Sequence, residues 1–136
     1  MKKFARLLIR ILVVSFIIIS GNLLIKGVPL IGRPNTERIE RVEIKHSGYP
    51  GDIKEFSDEK NIELATALLG YLNYSPLKGL SDDAQLIQIT YIMDDGSEYE
   101  VIANNYTVWW NGKPRALKDD NTFVKMCTAV FFASNE

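Results

Sequence analysis

The apolar and polar positions divide the chain near residue 33. Residues 7–25 read Leu-Leu-Ile-Arg-Ile-Leu-Val-Val-Ser-Phe-Ile-Ile-Ile-Ser-Gly-Asn-Leu-Leu-Ile, with Arg10 the one charge among them. A run without a polar stripe predicts a helix that is apolar all round, as in a membrane span rather than a surface helix. Its uncharged part, residues 11–25, covers about 22 Å as a helix, against a hydrocarbon core of about 30 Å. Arg10 and Lys26 flank that part, and residues 27–32 add apolar length beyond it.

After a polar linker at residues 34–38 the period changes to two. Val42 and Ile44 share one face, and Arg41, Glu43 and Lys45 the other, which predicts a half-buried strand over 40–46. The turn formers at residues 47–52 predict a loop, and residues 53–56 a short second strand. A helix is expected from Ser57, whose hydroxyl suits an N-cap, with Asp58 and Glu59 in the first turn. Ile62, Ala65, Leu68, Leu69 and Leu72 form its apolar stripe, and Pro76 stops it. Residues 77–84 read as a loop.

The clearest strand follows, where Ile87, Ile89, Tyr91 and Met93 alternate with Gln88, Thr90 and Ile92. Asp95-Gly96 predicts a type I′ hairpin turn, and Tyr99, Val101 and Ala103 mark the return strand. Residues 106–110 form a third strand, Asn111-Gly112 a second hairpin turn, and residues 113–117 a fourth strand that Pro114 places at an edge. Asp119 or Asp120 then caps a last helix with the stripe Phe123, Met126, Cys127, Val130 and Phe131. The order β-(β)-α-β-β-β-β-α gives an α+β fold. A small two-layer domain follows the transmembrane helix, its antiparallel meander sheet covered by two helices.

Charge sharpens the division. The net charge of −1 combines two unlike parts. Residues 1–33 hold six basic residues (Lys2, Lys3, Arg6, Arg10, Lys26 and Arg33) and no acidic one; the other ten basic and all seventeen acidic residues leave residues 34–136 at −7. Residues 1–33 are therefore a basic leader and signal-anchor, and residues 34–136 an extracytoplasmic domain. Four basic residues precede the run, so its N-terminus is expected in the cytoplasm and the domain outside the cell membrane. The competing expectation is secretion after signal cleavage; Ser20-Gly21 is the best small pair, but Ile residues stand just upstream and no Ala-x-Ala site is present. A buried core helix is the third option. An acidic domain of this size is no multidomain enzyme and a poor nucleic-acid partner.

The chemistry-bearing residues are few. Cys127 is the single Cys and His46 the single His, so neither a disulfide nor a zinc ligand set can be assembled. Cys127, among Phe123, Val124 and Met126, reads as a core residue. The pairs Asp82-Asp83, Asp94-Asp95 and Asp119-Asp120 sit where turns and helix starts favour Asp, and none has the spacing of a Ca²⁺ loop. Neither catalytic residues nor a metal or cofactor are assigned. Trp109-Trp110 is the most suggestive feature. Neighbours on a strand face opposite ways, so Tyr106, Val108 and Trp110 share one face and Thr107 and Trp109 the other. One Trp is expected in the core and one toward solvent or a loop. An exposed aromatic can anchor a contact, which makes Tyr106, Trp109, Trp110, Asn111 and Lys113 the candidate binding residues.

These parts together resemble a broad group of small exported proteins of Gram-positive bacteria, lipoproteins or membrane-anchored, that carry a domain of unknown function. The resemblance rests on the basic leader, Ile39-Glu40-Arg41-Val42-Glu43-Ile44, Gly70-Tyr71-Leu72-Asn73, the turn around Asp94-Asp95-Gly96, and Trp110-Asn111-Gly112-Lys113 before a final helix. It covers most of residues 38–132; the lipid-attachment Cys of many members is absent. It implies location and architecture, and no catalytic residues. The expected function is a non-catalytic binding module at the cell envelope, its partners the membrane and an envelope protein or a cell-wall glycan. Two alternatives stand beside it: a hydrolase using the loop carboxylates Asp82 or Asp83 with Lys78, and a structural accessory subunit of a membrane complex.

Overall fold

The computed structural model describes residues 2–26, 28–29 and 33–132. The first element, α1 (Lys2–Lys26), is one continuous helix of 25 residues, about 37 Å long at ~1.5 Å per residue. It runs through Arg10 without a break, so the apolar length available exceeds the uncharged run. Lys2–Asn22 is long and apolar enough to cross a membrane, and none of it is buried against the domain. Of the extra apolar residues at 27–32, only Val28 and Pro29 lie within the described residues.

Val28–Pro29 form a two-residue strand, β1, which pairs antiparallel with β4 (Asn73–Tyr74): Val28 with Tyr74 and Pro29 with Asn73. A 3-10 turn at Thr36–Arg38 then leads into the main sheet. Its strands are β2 (Ile39–His46), β3 (Lys54–Phe56), β5 (Ile87–Met93), β6 (Glu98–Ala103), β7 (Thr107–Trp110) and β8 (Lys113–Ala116). Their order across the sheet is β3-β2-β5-β6-β7-β8, and every pairing is antiparallel. Both edges are short strands, and Pro114 lies on one of them, where its missing N–H costs no ladder bond.

Two turns show how local chemistry sets the register. Asn111 and Gly112 both have positive φ, 47° and 83°, as a type I′ turn requires. The Asp95-Gly96 turn differs from expectation. Only Gly96 has positive φ, 84°; Gly96 N–H donates to the Met93 carbonyl at 3.0 Å and Met93 N–H to Ser97 at 2.8 Å. This is a three-residue loop, a type I turn closed by a glycine bulge. The Asp95 carboxylate makes it fit by accepting from the N–H and hydroxyl of Ser97.

Helices α2 (Glu59–Leu68) and α3 (Thr122–Cys127) cover one face of the sheet. Ile62, Ala65 and Leu68 of α2 and Phe123, Val124 and Cys127 of α3 join Val42, Ile44, Ile89, Val101 and Val108 in a single core. Tyr91, wholly buried, ties the layers by donating its hydroxyl to the Ala65 carbonyl at 2.8 Å. The caps differ from expectation. Asp58, not Ser57, caps α2, accepting from Asn61 N–H at 3.1 Å; an ionised carboxylate is the stronger acceptor at the positive end of the helix. At α3 neither Asp119 nor Asp120 caps. Asn121 precedes the helix in a left-handed conformation, φ 69°, with no side-chain cap bond. The last turn, Thr128–Phe132, winds as a π-helix, which shifts the inward face by one position. Phe131 and Phe132 are buried, and Val130, expected in the stripe, is exposed.

Tyr91→Phe is expected to cost about 1–2 kcal/mol, because it orphans one buried acceptor without changing the packed shape. Phe123→Ala is expected to cost about 3–5 kcal/mol through the cavity it leaves. Urea midpoints of the full chain in detergent, at unchanged slope, measure both.

Candidate functional site

The two faces of the sheet differ in what they offer a partner. On the covered face, Val42 and Ile44 of β2 and Ile87, Ile89 and Tyr91 of β5 lie under the helices. On the other face, ladder pairing aligns Lys45, Gln88, Ile102, Trp109 and Pro114 in a row across five strands. Beside it run Glu55, Glu43, Thr90 and Glu100. No helix lies over this open face among the described residues. Ile102 and Trp109 are half-buried there and Pro114 is exposed. Polar side chains surround them: Gln88 donates to Glu100 at 3.1 Å, and Arg41 lies 3.7 Å from both Glu43 and Glu55.

The candidate binding residues are divided by this geometry. Trp110 points into the core, 8% exposed, with its ring edge-on to Tyr99 at 5.3 Å. Burial raises the pKa of the Tyr99 hydroxyl, and its hydrogen bond with Trp110 works against that shift. Trp109 stands on the open face. Asn111 is spent on the turn: its side-chain oxygen accepts from Glu100 N–H, and its own N–H donates to the Glu100 carbonyl, each at 2.9 Å. Lys113, exposed, begins the edge strand beyond that turn. Tyr106 lies just before β7, at the opposite end of the strand, also exposed. Trp109 thus has Ile102 and Pro114 as its apolar neighbours, which the two-residue alternation could not identify without the strand register.

The groups considered for chemistry are held in structural roles. Asn104, 1% exposed, accepts from the N–H groups of Tyr106 and Thr107 through its side-chain oxygen and donates to the Asp83 carbonyl at 2.9 Å. Lys78, considered with Asp82 or Asp83, turns away from them. Its ammonium donates to the Lys118 carbonyl at 2.9 Å and pairs with Asp120 at 3.3 Å. Cys127 is wholly buried, which pushes its thiol up to about 12. Among the described residues no three His, Cys, Asp or Glu side chains form a metal-binding group.

His46 ends β2 beside a cleft of about 370 Å³ lined with Tyr49, Pro50, Ile53 and Leu86. Both ring nitrogens are engaged. Nδ1 accepts from Gly48 N–H at 2.9 Å, so it carries no proton, and Nε2 donates to the Thr128 hydroxyl at 2.9 Å. That hydroxyl donates onward to the Val124 carbonyl at 2.7 Å. The ring also meets Tyr49 and Phe132 edge-on, at 5.1 and 5.3 Å. His46 therefore joins the sheet to the π turn. Burial lowers its pKa, and sequence alone gives no sign of the bond to Thr128, 82 residues away.

Comparison with known proteins returns no match: no family model, no curated protein and no solved structure aligns with the chain.

Two outcomes are expected. The folded state favours neutral His46, so its contribution to stability is complete above about pH 6.5 and is lost as pH falls through the depressed value. Urea midpoints between pH 7.5 and 5 should fall more steeply for the wild type than for His46→Asn. The Cys127 thiol should resist alkylation at pH 8 in the folded chain and react once denaturant is added.

Proposed function

We propose that this protein is a membrane-anchored binding module. In this reading α1 spans the cell membrane with its N-terminus in the cytoplasm, and residues 34–136 work outside as a non-catalytic interaction domain. The length and exposure of α1 support the anchor, and the four basic residues before its long apolar run support the orientation. The partner is an envelope protein that docks on the open sheet face. The observation that carries this reading is the half-buried Trp109 between Ile102 and Pro114, with Arg41, Glu43, Gln88 and Glu100 further out on the same face. An apolar centre with an aromatic anchor and a polar rim is the usual anatomy of a specific protein interface.

The buried Trp110 has a different part in this reading, as the packing that keeps β7 in place. Trp110→Ala is expected to destabilise the domain by about 3–5 kcal/mol, whereas Trp109→Ala should leave stability within about 1 kcal/mol. At an interface anchor, Trp109→Ala should weaken partner capture by about 30-fold, equivalent to ~2 kcal/mol.

The test is photo-crosslinking in native membranes from a reactive residue at position 109, with position 60 on the exposed side of α2 as reference. A discrete protein adduct at 109, lost with competing unlabelled domain, supports the reading. Equal yield at the two positions would overturn it, and selective sedimentation of the domain with cell-wall glycan would replace the protein partner by the glycan. Recovery of the protein only from the medium, without its first residues, would overturn the anchor.

A further inference from the structure

The two ends of the sheet are chemically unlike, and the chain emerges from α1 at one of them. By Val28, two residues beyond the end of the helix, it is paired with Tyr74. Two Cα steps span at most about 7.6 Å, and paired strands lie about 4.8 Å apart. A helix of about 37 Å across a core of about 30 Å leaves Lys26 at headgroup depth. Tyr74 is therefore held close above the headgroups if α1 spans the bilayer. Tyr74 also bridges to Leu117, just past β8, and its ring lies 5.8 Å from the Arg115 guanidinium.

From Tyr74 the chain runs as a rim across that end of the sheet, strand by strand. Ser75 N–H donates to Ala116 at 2.8 Å, Ser81 N–H to the Thr107 hydroxyl at 3.0 Å, Asn104 to Asp83 at 2.9 Å, and Leu86 N–H to Ala103 at 2.9 Å. This loop is held in place, yet it leaves Leu77 78% and Leu80 57% exposed. Tyr71 and Tyr106 flank it, 57% and 42% exposed. With Tyr49 and Ile53, this end carries six of the eight exposed large apolar or aromatic side chains described outside α1; the others are Leu64 and Val130. Acidic residues are found at both ends: Glu37, Asp58, Glu59, Asp94, Asp95 and Glu98 with Arg38, Lys60 and Lys113 at the far end, and Asp52, Asp82, Asp83, Asp119 and Asp120 with Lys54, Lys78 and Lys118 at this one. Exposed apolar side chains, not charge, therefore set the two apart.

We infer that the rim at residues 75–86, with Leu77 and Leu80 at its surface and Tyr71 and Tyr106 beside them, rests in the headgroup interface of the membrane that α1 spans. The inference depends on the anchor proposed above. It adds an orientation: the end rich in exposed apolar side chains faces lipid, and tyrosines sit at the depth where amphipathic rings are favoured. The strands then run away from the membrane, which leaves the face around Trp109 open sideways to a neighbouring envelope protein.

The experiment uses the full chain reconstituted in phosphatidylcholine–phosphatidylglycerol vesicles. Leu77→Cys, Leu80→Cys and, at the far hairpin, Asp95→Cys are each labelled with an environment-sensitive fluorophore; all three side chains are exposed, and Cys127 is buried from the reagent. Shallow spin-labelled lipid should quench positions 77 and 80 at least threefold more than position 95. Vesicle flotation of the same samples reads the anchor separately. Floating chains with equal quenching at the three positions overturn the inference and leave the anchor standing. Chains that do not float overturn both. Protection of position 77 in native membranes but not in these vesicles assigns the rim to a protein and overturns the lipid contact.

Discussion

Everything in this domain depends on a six-stranded sheet that, among the described residues, has helical cover on one face. A sheet gains its stability by removing one apolar face from water, and α2 and α3 together supply that cover. Val42, Ile44, Ile89, Val101 and Val108 reach zero exposure beneath them. The opposite face instead carries polar side chains, Arg41, Glu43, Gln88, Thr90 and Glu100, with Gln88 bonded to Glu100 and Arg41 paired at 3.7 Å with Glu43 and Glu55. The apolar group at Ile102, Trp109 and Pro114 stands apart from that polar pattern, and this contrast motivates its proposed role in binding.

A second constraint acts along the strands. The rim loop carries few apolar anchors of its own, so its conformation comes from hydrogen bonds to strand ends and turns. Asn104 is central to this. Buried, with its oxygen taking two backbone N–H groups and its amide donating to Asp83, it shapes the turn into β7 and holds the rim together. Burying that amide without partners would be costly, so its three bonds couple the turn to the loop. Leu77 and Leu80 are then displayed on a fixed support, close to where β1 ties the leader to Tyr74.

Much of this could be read in residue order because it rests on contacts a few residues apart. The period-two alternation in β2, β5 and β6, the helical stripes, the edge position of Pro114 and the Asn111-Gly112 turn all follow from local sterics and face. The misplaced details also have local causes. Ser57 and Asp58 compete for one cap one residue apart, and the charged acceptor prevails. Asp95-Gly96 can close either a two-residue or a three-residue turn, and the Asp95–Ser97 bonds select the longer. The π turn after Cys127 moves Phe132 inward at the expense of Val130, a change in winding that a fixed 3.6-residue period does not contain.

Residue order by itself determined the apolar helix, its charge bias and an α+β domain with a half-covered antiparallel sheet, since these depend on period, composition and turn chemistry. It also required the two adjacent tryptophans to face opposite ways, because strand neighbours alternate. The tertiary structure decided which of them is buried, since that depends on which face receives the helices. It likewise decided that His46 meets Thr128, that Lys78 pairs with Asp120 rather than its neighbours, and that two residues after α1 join Asn73 and Tyr74. Those contacts link groups some 40 to 80 residues apart, and only the packed chain brings them within hydrogen-bonding distance.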